Sequence, residues 1–147
     1  MKDYQPSQKI LENYADVMVN FALGSGKGIK KGETVYLIVP EYAKPLLIEL
    51  EKAIFKAGGN LILRYVPDNT NRFGFGREFY EHASDTQLSY FPSKYIRGLV
   101  DEADHVMVIL GQTNMKPLEG IDSKKNHESQ FGLQAIHGLA QRKRKCR

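Results

Sequence analysis

The chain of 147 residues has a single cysteine, Cys146, and no tryptophan. One cysteine cannot build an intrachain disulfide framework, and none of the residues around Cys146 completes the ligand spacing of a zinc finger. Long apolar runs are also missing. No window approaches the roughly 18 consecutive apolar residues that a membrane span requires, and the opening MKDYQPSQK has no apolar stretch behind its charges. Neither a membrane partner nor a secretory leader is expected, and the expected location is the cytoplasm. The chain is long enough for one domain with a real core and too short for two ordinary ones.

An excess of acid is lacking as well: the net charge is +4 and the pI about 9.1. A basic balance raises the question of nucleic acid, so its distribution matters. Residues 1–125 hold 16 Lys plus Arg against 16 Asp plus Glu, whereas residues 126–147 hold 5 against 1. The body is neutral and only the end is basic.

What is present is a βαβ grammar. Ile10, Leu11, Tyr14, Val17, Met18 and Phe21 recur at three- and four-residue spacings over residues 7–23, which predicts an amphipathic helix with Ser7 as its cap and these six on its apolar face. Gly24-Ser25-Gly26-Lys27-Gly28 ends it and is expected to be a flexible connection to the β-rich run at 34–39. Pro40 closes that strand. Leu46, Leu47, Leu50, Ala53 and Ile54 then mark a second helix over 42–57, stopped by Gly58-Gly59, and a second strand follows over 60–66. Helical sequence returns at 77–82 and at 86–101, interrupted by Pro92. The run His105-Val106-Met107-Val108-Ile109-Leu110 reads as a third strand buried on both faces. The expected fold is α/β, a small parallel, Rossmann-like sheet with helices on both faces.

Several motifs suggest chemistry. The glycine-rich 24–28 segment could cradle phosphate, but it follows a helix and leads to a strand, the reverse of a phosphate loop, and no hydroxyl residue follows Lys27 directly. Arg72-Phe73-Gly74-Phe75-Gly76-Arg77 mixes rings and cations as single-strand nucleic-acid platforms do, yet no second such ribbon supports it. Glu78, Glu81, His82, Asp101, Glu102, Asp104 and His105 have the donor chemistry for metals or proton transfer. Glu78 and His82 stand one helical turn apart, but no third ligand closes a cage by spacing. Asp101, Glu102 and Asp104 read as a solvated turn, and His105 as a structural residue opening its strand. No catalytic or metal-binding residue is assigned. The polar loop after the third strand is the better candidate: Gln112, Thr113 and Asn114 follow the carboxyl end of a parallel strand, where ligands of open α/β sheets bind. A substrate- or domain-contact role is expected there.

The strings Gly28-Ile29-Lys30-Lys31-Gly32-Glu33-Thr34-Val35-Tyr36-Leu37, Val39-Pro40-Glu41, Lys56-Ala57-Gly58-Gly59, Gly98-Leu99-Val100-Asp101-Glu102-Ala103-Asp104-His105 and Leu118-Glu119-Gly120-Ile121-Asp122 occur in that order. In this the chain resembles the amino-terminal region of the thermophilic metalloaminopeptidases of the aminopeptidase T and aminopeptidase S type. The resemblance implies a homodimeric exopeptidase that removes amino-terminal residues from peptides with two divalent ions, zinc or cobalt. It also implies that the ions are held by a carboxyl-terminal domain with no counterpart in this sequence, so that no ion is expected on this chain and the chain alone is expected to be inactive. Residues 1–125 would then be an amino-terminal α/β domain walling one side of the substrate chamber.

The resemblance fades after Lys125. The basic end carries the only cysteine and little apolar periodicity, and a back-translation with permitted third bases, one A dropped from the Lys124-Lys125-Asn126 codons, allows a second frame with an amphipathic continuation. Residues 126–147 are therefore expected to be a basic irregular tail from a shifted frame. Two other functions compete: a small-molecule or nucleotide-binding α/β module acting at the 111–116 loop, and a nucleic-acid-binding protein acting through the tail. Nucleic acid is not the partner expected.

Overall fold

The computed structural model describes residues 5–68 and 77–111, and these divide into two compact units. The first combines the chain up to Val66 with Ala103–Leu110; the second holds Pro67–Glu102. The first unit is a parallel α/β sheet, as the periodicities predict.

Helix α1 spans Gln8–Val17 and begins where the Ser7 side chain accepts a hydrogen bond from the Ile10 amide. It runs directly into one π turn, Met18–Ala22. Strand β1 follows at Thr34–Pro40, then a 3-10 turn at Glu41–Ala43 and helix α2 at Lys44–Lys56. Pro45 suits the first turn of α2 because its missing N–H would be unpaired there in any case. At the other end Gly58, at φ 79°, closes a Schellman cap: its amide reaches Phe55 O and that of Gly59 reaches Ile54 O, each at 3.0 Å. Strand β2, Asn60–Val66, starts immediately afterwards, and β3 is His105–Val108.

All pairings are parallel and the order is β2-β1-β3. Val35 sits opposite Leu61 and His105, Leu37 opposite Leu63 and Met107. Val35, Leu37 and Val39 share one face because side chains alternate along a strand. They form the core with Leu47, Leu50 and Ile54 of α2, Ala15 of α1, Val19 and Met107. Thr34 and Asp104 clasp the start of the sheet reciprocally. The Asp104 amide donates to Thr34 O at 2.9 Å, and the Thr34 amide donates to Asp104 Oδ2 at 3.0 Å.

Three expectations are corrected. The strand buried on both faces is β1, whose first four residues are all buried; on β3, Val108 is 40% exposed, and Leu110 just beyond it is 86% exposed. The order places β3 at an edge of the described sheet, so only β1 has a neighbour on each side. The six apolar positions of α1 and the π turn do not share one environment either: Leu11 and Met18 are half-buried, whereas Ile10, Tyr14, Val17 and Phe21 are exposed. Ala15 and Val19 occupy the line of closest approach instead, small enough to let α1 lie against α2. The 24–28 segment is not a slack connection. The Gly28 amide bonds Leu23 O and the Ile29 amide bonds Val19 O, which folds the loop back on the π turn. Gly24, Ser25, Gly26 and Gly28 all take positive φ, which explains its glycine content.

In the second unit, α3 is Arg77–His82, α4 Asp85–Leu88 and α5 Ser93–Glu102. Ser84 and Gln87 form a capping box at the start of α4, and Pro92 falls in the break between α4 and α5, as the sequence suggests.

Candidate functional site

In an open parallel sheet, ligands meet the chain at the carboxyl ends of the strands where the strand order reverses. Here α2 takes the chain from β1 to β2 on one side, and β3 returns to the other side, so the reversal lies between β1 and β3. The rim on the β1 side is Pro40 with the exposed Glu41 and Tyr42; on the β3 side it is Val108 to Leu110. The ladder holds to this edge, the Ile109 amide donating to Ile38 O at 2.9 Å. Gln112, Thr113 and Asn114 follow from here in sequence and lie outside the described residues, as does the basic 126–147 segment. Residues 72–76 of the aromatic-basic string also lie outside them; its last member, Arg77, bonds Glu81.

His105 and Glu33 stand at the opposite, amino end of the sheet. Glu33 Oε2 accepts from the Lys30 amide at 2.8 Å and lies 2.8 Å from His105 Nε2. An ionised carboxylate only accepts, so Nε2 carries the proton of that bond. The Lys30 amide first, and then the His105 ring, hold the Glu33 carboxyl below its ordinary value, against a smaller opposing effect of burial. The pair ties the turn before β1 to the start of β3, which is the structural role that the position of His105 suggests. A group whose acidity is raised by folding stabilises the fold above its ordinary pKa and loses that contribution as pH falls through the folded value. Glu33→Gln is therefore expected to be less stable than the parent at neutral pH, with the gap closing below about pH 4.5. Urea unfolding of both proteins across an acidic pH series measures this.

The other ionisable candidates separate. Asp101 and Glu102 are the last residues of α5 and are exposed. Asp104 does not belong to a solvated turn, since its carboxylate holds the Thr34 amide. On α3, Glu78, Glu81 and His82 do come together, with one potential ligand atom from each within 4.8 Å of the others. Glu81 is the third group that spacing alone did not supply. It is one turn from Glu78 and adjacent to His82, so all three project from one side of a single helical turn. They are exposed and already engaged: His82 Nε2 is 3.1 Å from Glu78 Oε2, and Arg77 binds Glu81. A two-metal hydrolytic centre requires ligands from several elements, oriented by outer-shell hydrogen bonds in a site shielded from water. Among the described residues no such set exists, and this exposed turn does not fit one.

Comparison with known proteins adds two findings. A family model described as thermophilic metalloprotease matches residues 7–145. Among solved structures, wild-type AmpT from Thermus thermophilus shares the fold with a TM-score of 0.71 at 20% identity, over 90% of this chain and 32% of that one. The chain thus spans about a third of the length of the structure it matches. No curated protein matches its sequence. Among the described residues, no helix is long and apolar enough to cross a membrane.

Proposed function

Because the chain belongs to the thermophilic metalloprotease family of peptidases, we propose that it is the α/β portion of a metal-dependent aminopeptidase that releases amino-terminal residues from peptides. The observation that carries this reading is the family match over residues 7–145, nearly the whole chain. The likeness to AmpT over 32% of that structure supports an assignment of the chemistry to a part of the enzyme that these residues do not form. The two divalent ions, zinc or cobalt, are held there, and this chain alone neither binds them stoichiometrically nor hydrolyses peptides. Its own contribution is a rigid wall. Three parallel strands present the Pro40–Tyr42 and Val108–Leu110 rim to the substrate chamber of a cytoplasmic homodimer, and Gln112, Thr113 and Asn114, which follow in sequence, are assigned a substrate- or domain-contact role. The family match continues past Lys125 to residue 145, so the reading of residues 126–147 as the product of a shifted frame rests on their composition alone.

The test is turnover of a leucine-type chromogenic substrate with added cobalt or zinc, by this chain and by a longer version with the second frame restored. Only the longer version is expected to cleave, and its activity should disappear on chelation. Metal-dependent turnover by this chain alone would overturn the assignment and return attention to Glu78, Glu81 and His82.

A further inference from the structure

Helices α1 and α2 leave a groove of about 310 Å³ between them. Lys9, Glu12 and Asp16 line it from α1, and Glu49, Lys52 and Lys56 from α2, so cations and anions balance along its walls. Five of these six side chains belong to exposed or half-exposed positions, but that of Glu49 is only 7% exposed. A carboxylate so far from water needs hydrogen bonds in place of its hydration, and it can accept them on both oxygens. The two donors that reach Glu49 share one oxygen: Gln8 Nε2 and Lys52 Nζ each lie 2.9 Å from Oε1. Oε2 has no partner among the described residues. Nor is it sealed, since Tyr36 Oη is the buried side-chain polar atom left without a partner among them. Oε2 therefore opens into the groove that Glu49 lines. About two turns further along α2, roughly 10 Å, the exposed Lys56 supplies an ammonium with no ion pair among the described residues.

The remaining charges are matched within the walls. Lys9 lies 3.7 Å from Glu12, Lys52 holds Glu49 Oε1, and Asp16 Oδ1 accepts from Asn20 Nδ2 at 2.7 Å. What the groove lacks is a donor at the Glu49 end and an anion at the Lys56 end. A simple cation would leave Lys56 unmatched and meet two further lysines; a simple anion would face Glu49, Glu12 and Asp16. A compact molecule carrying both signs completes both ends. We propose that the groove binds a free α-amino acid, its ammonium donating to Glu49 Oε2 and its carboxylate accepting from Lys56 Nζ. The two charged groups of an amino acid are about 3 Å apart, and a hydrogen bond of about 2.9 Å at each end covers most of the two turns. The flexible stem of Lys56 spans the rest. The volume is at the small end of ligand sites, suited to an amino acid rather than a nucleotide. With few atoms in contact and one side open to solvent, binding is expected at about millimolar concentration. The proposal rests on no part of the peptidase reading and is tested without metal or turnover, so the two fail separately.

Titration of the full chain with L-alanine, followed by amide chemical shifts, is expected to give saturable changes centred on residues 8–20 and 49–56. Alaninamide, which keeps the ammonium but not the carboxylate, and N-acetylalanine, which keeps the carboxylate but not the ammonium, should each bind about tenfold more weakly or worse. Lys56→Gln changes an exposed side chain without an ion pair, so its fold should be intact. It should weaken L-alanine about tenfold and leave alaninamide unchanged. Glu49→Gln retains an acceptor for Gln8 and Lys52 but loses the charge, and should weaken L-alanine and alaninamide alike. The absence of saturable shifts, shifts centred outside the two helices, N-acetylalanine binding as tightly as L-alanine, or L-alanine binding indifferent to Lys56→Gln would each overturn the proposal.

Discussion

Leu37→Ala is expected to cost about 4 kcal/mol of stability, the upper range for a leucine deleted from a packed core. Leu37 is fully buried at the middle of β1, between Leu63 and Met107 in register and in the same cluster as Leu50 and Ile54. It sits in the strand with neighbours on both sides, where the surroundings can least collapse into the vacated volume. Small domains hold only about 5–15 kcal/mol in total, so one such change removes a large part of the margin. The comparison that isolates burial is Leu63→Ala. This is the same deletion, on the same face and in register, but at a site 44% exposed, with an expected cost of about 1 kcal/mol. Urea midpoints of the two variants check the difference. Equal losses would mean that β2 is covered in solution as closely as β1.

Gly28→Ala is expected to lose about 3 kcal/mol through backbone alone. Gly28 has φ 73°, and a Cβ built there would lie 2.5 Å from Asn20 O and 2.7 Å from Asn20 C. The obstacle is main chain of the π turn, which cannot swing away as a side-chain end would. Gly26 provides the control, because it has φ 87° and a Cβ added there would meet nothing within 4 Å. Gly26→Ala should lose only the cost of the left-handed conformation, about 1 kcal/mol. The difference between the two measures how tightly the 24–28 loop is folded onto Val19 and Asn20. Similar losses in both would mean that the loop stands clear of the helix.

These two sites also mark what the sequence could and could not convey. The elements were legible because their signals are local: Ser7 before an amphipathic run, Pro45 and Gly58-Gly59 bracketing α2, and β-branched residues from Thr34 to Val39. Strand order is not local. A run such as His105 to Leu110 has the same composition whether it lies at the centre or at an edge, and only pairing assigned the doubly covered position to β1. The π turn has no compositional mark, so the compactness of the glycine loop beside it was hidden. Hydrophobic spacing identified all six apolar residues on α1 but could not divide them between core and surface, since that depends on which line of the helix touches α2. Of the candidate chemistry, the Glu78–His82 neighbourhood followed from helical spacing, whereas the Glu33–His105 contact, 72 positions apart, could not. The family resemblance was carried by ordered short strings, and the family match supports it. The polar loop at Gln112, Thr113 and Asn114 remains a proposal resting on its place after β3.

The clasp between Thr34 and Asp104 joins positions 70 residues apart, and this bears on how the molecule is made. Compared with the β1–β2 closure, the longer loop adds only about 1 kcal/mol of entropy, because that cost grows with the logarithm of length. Time is the greater consequence. At translation rates of about 5–20 residues per second, β3 leaves the ribosome some seconds after β2. Through that interval β1, the most apolar strand, has one row of backbone donors and acceptors open to any passing strand. The nascent chain is most vulnerable to aggregation between the synthesis of Val66 and that of His105, and the arrival of β3 ends the exposure.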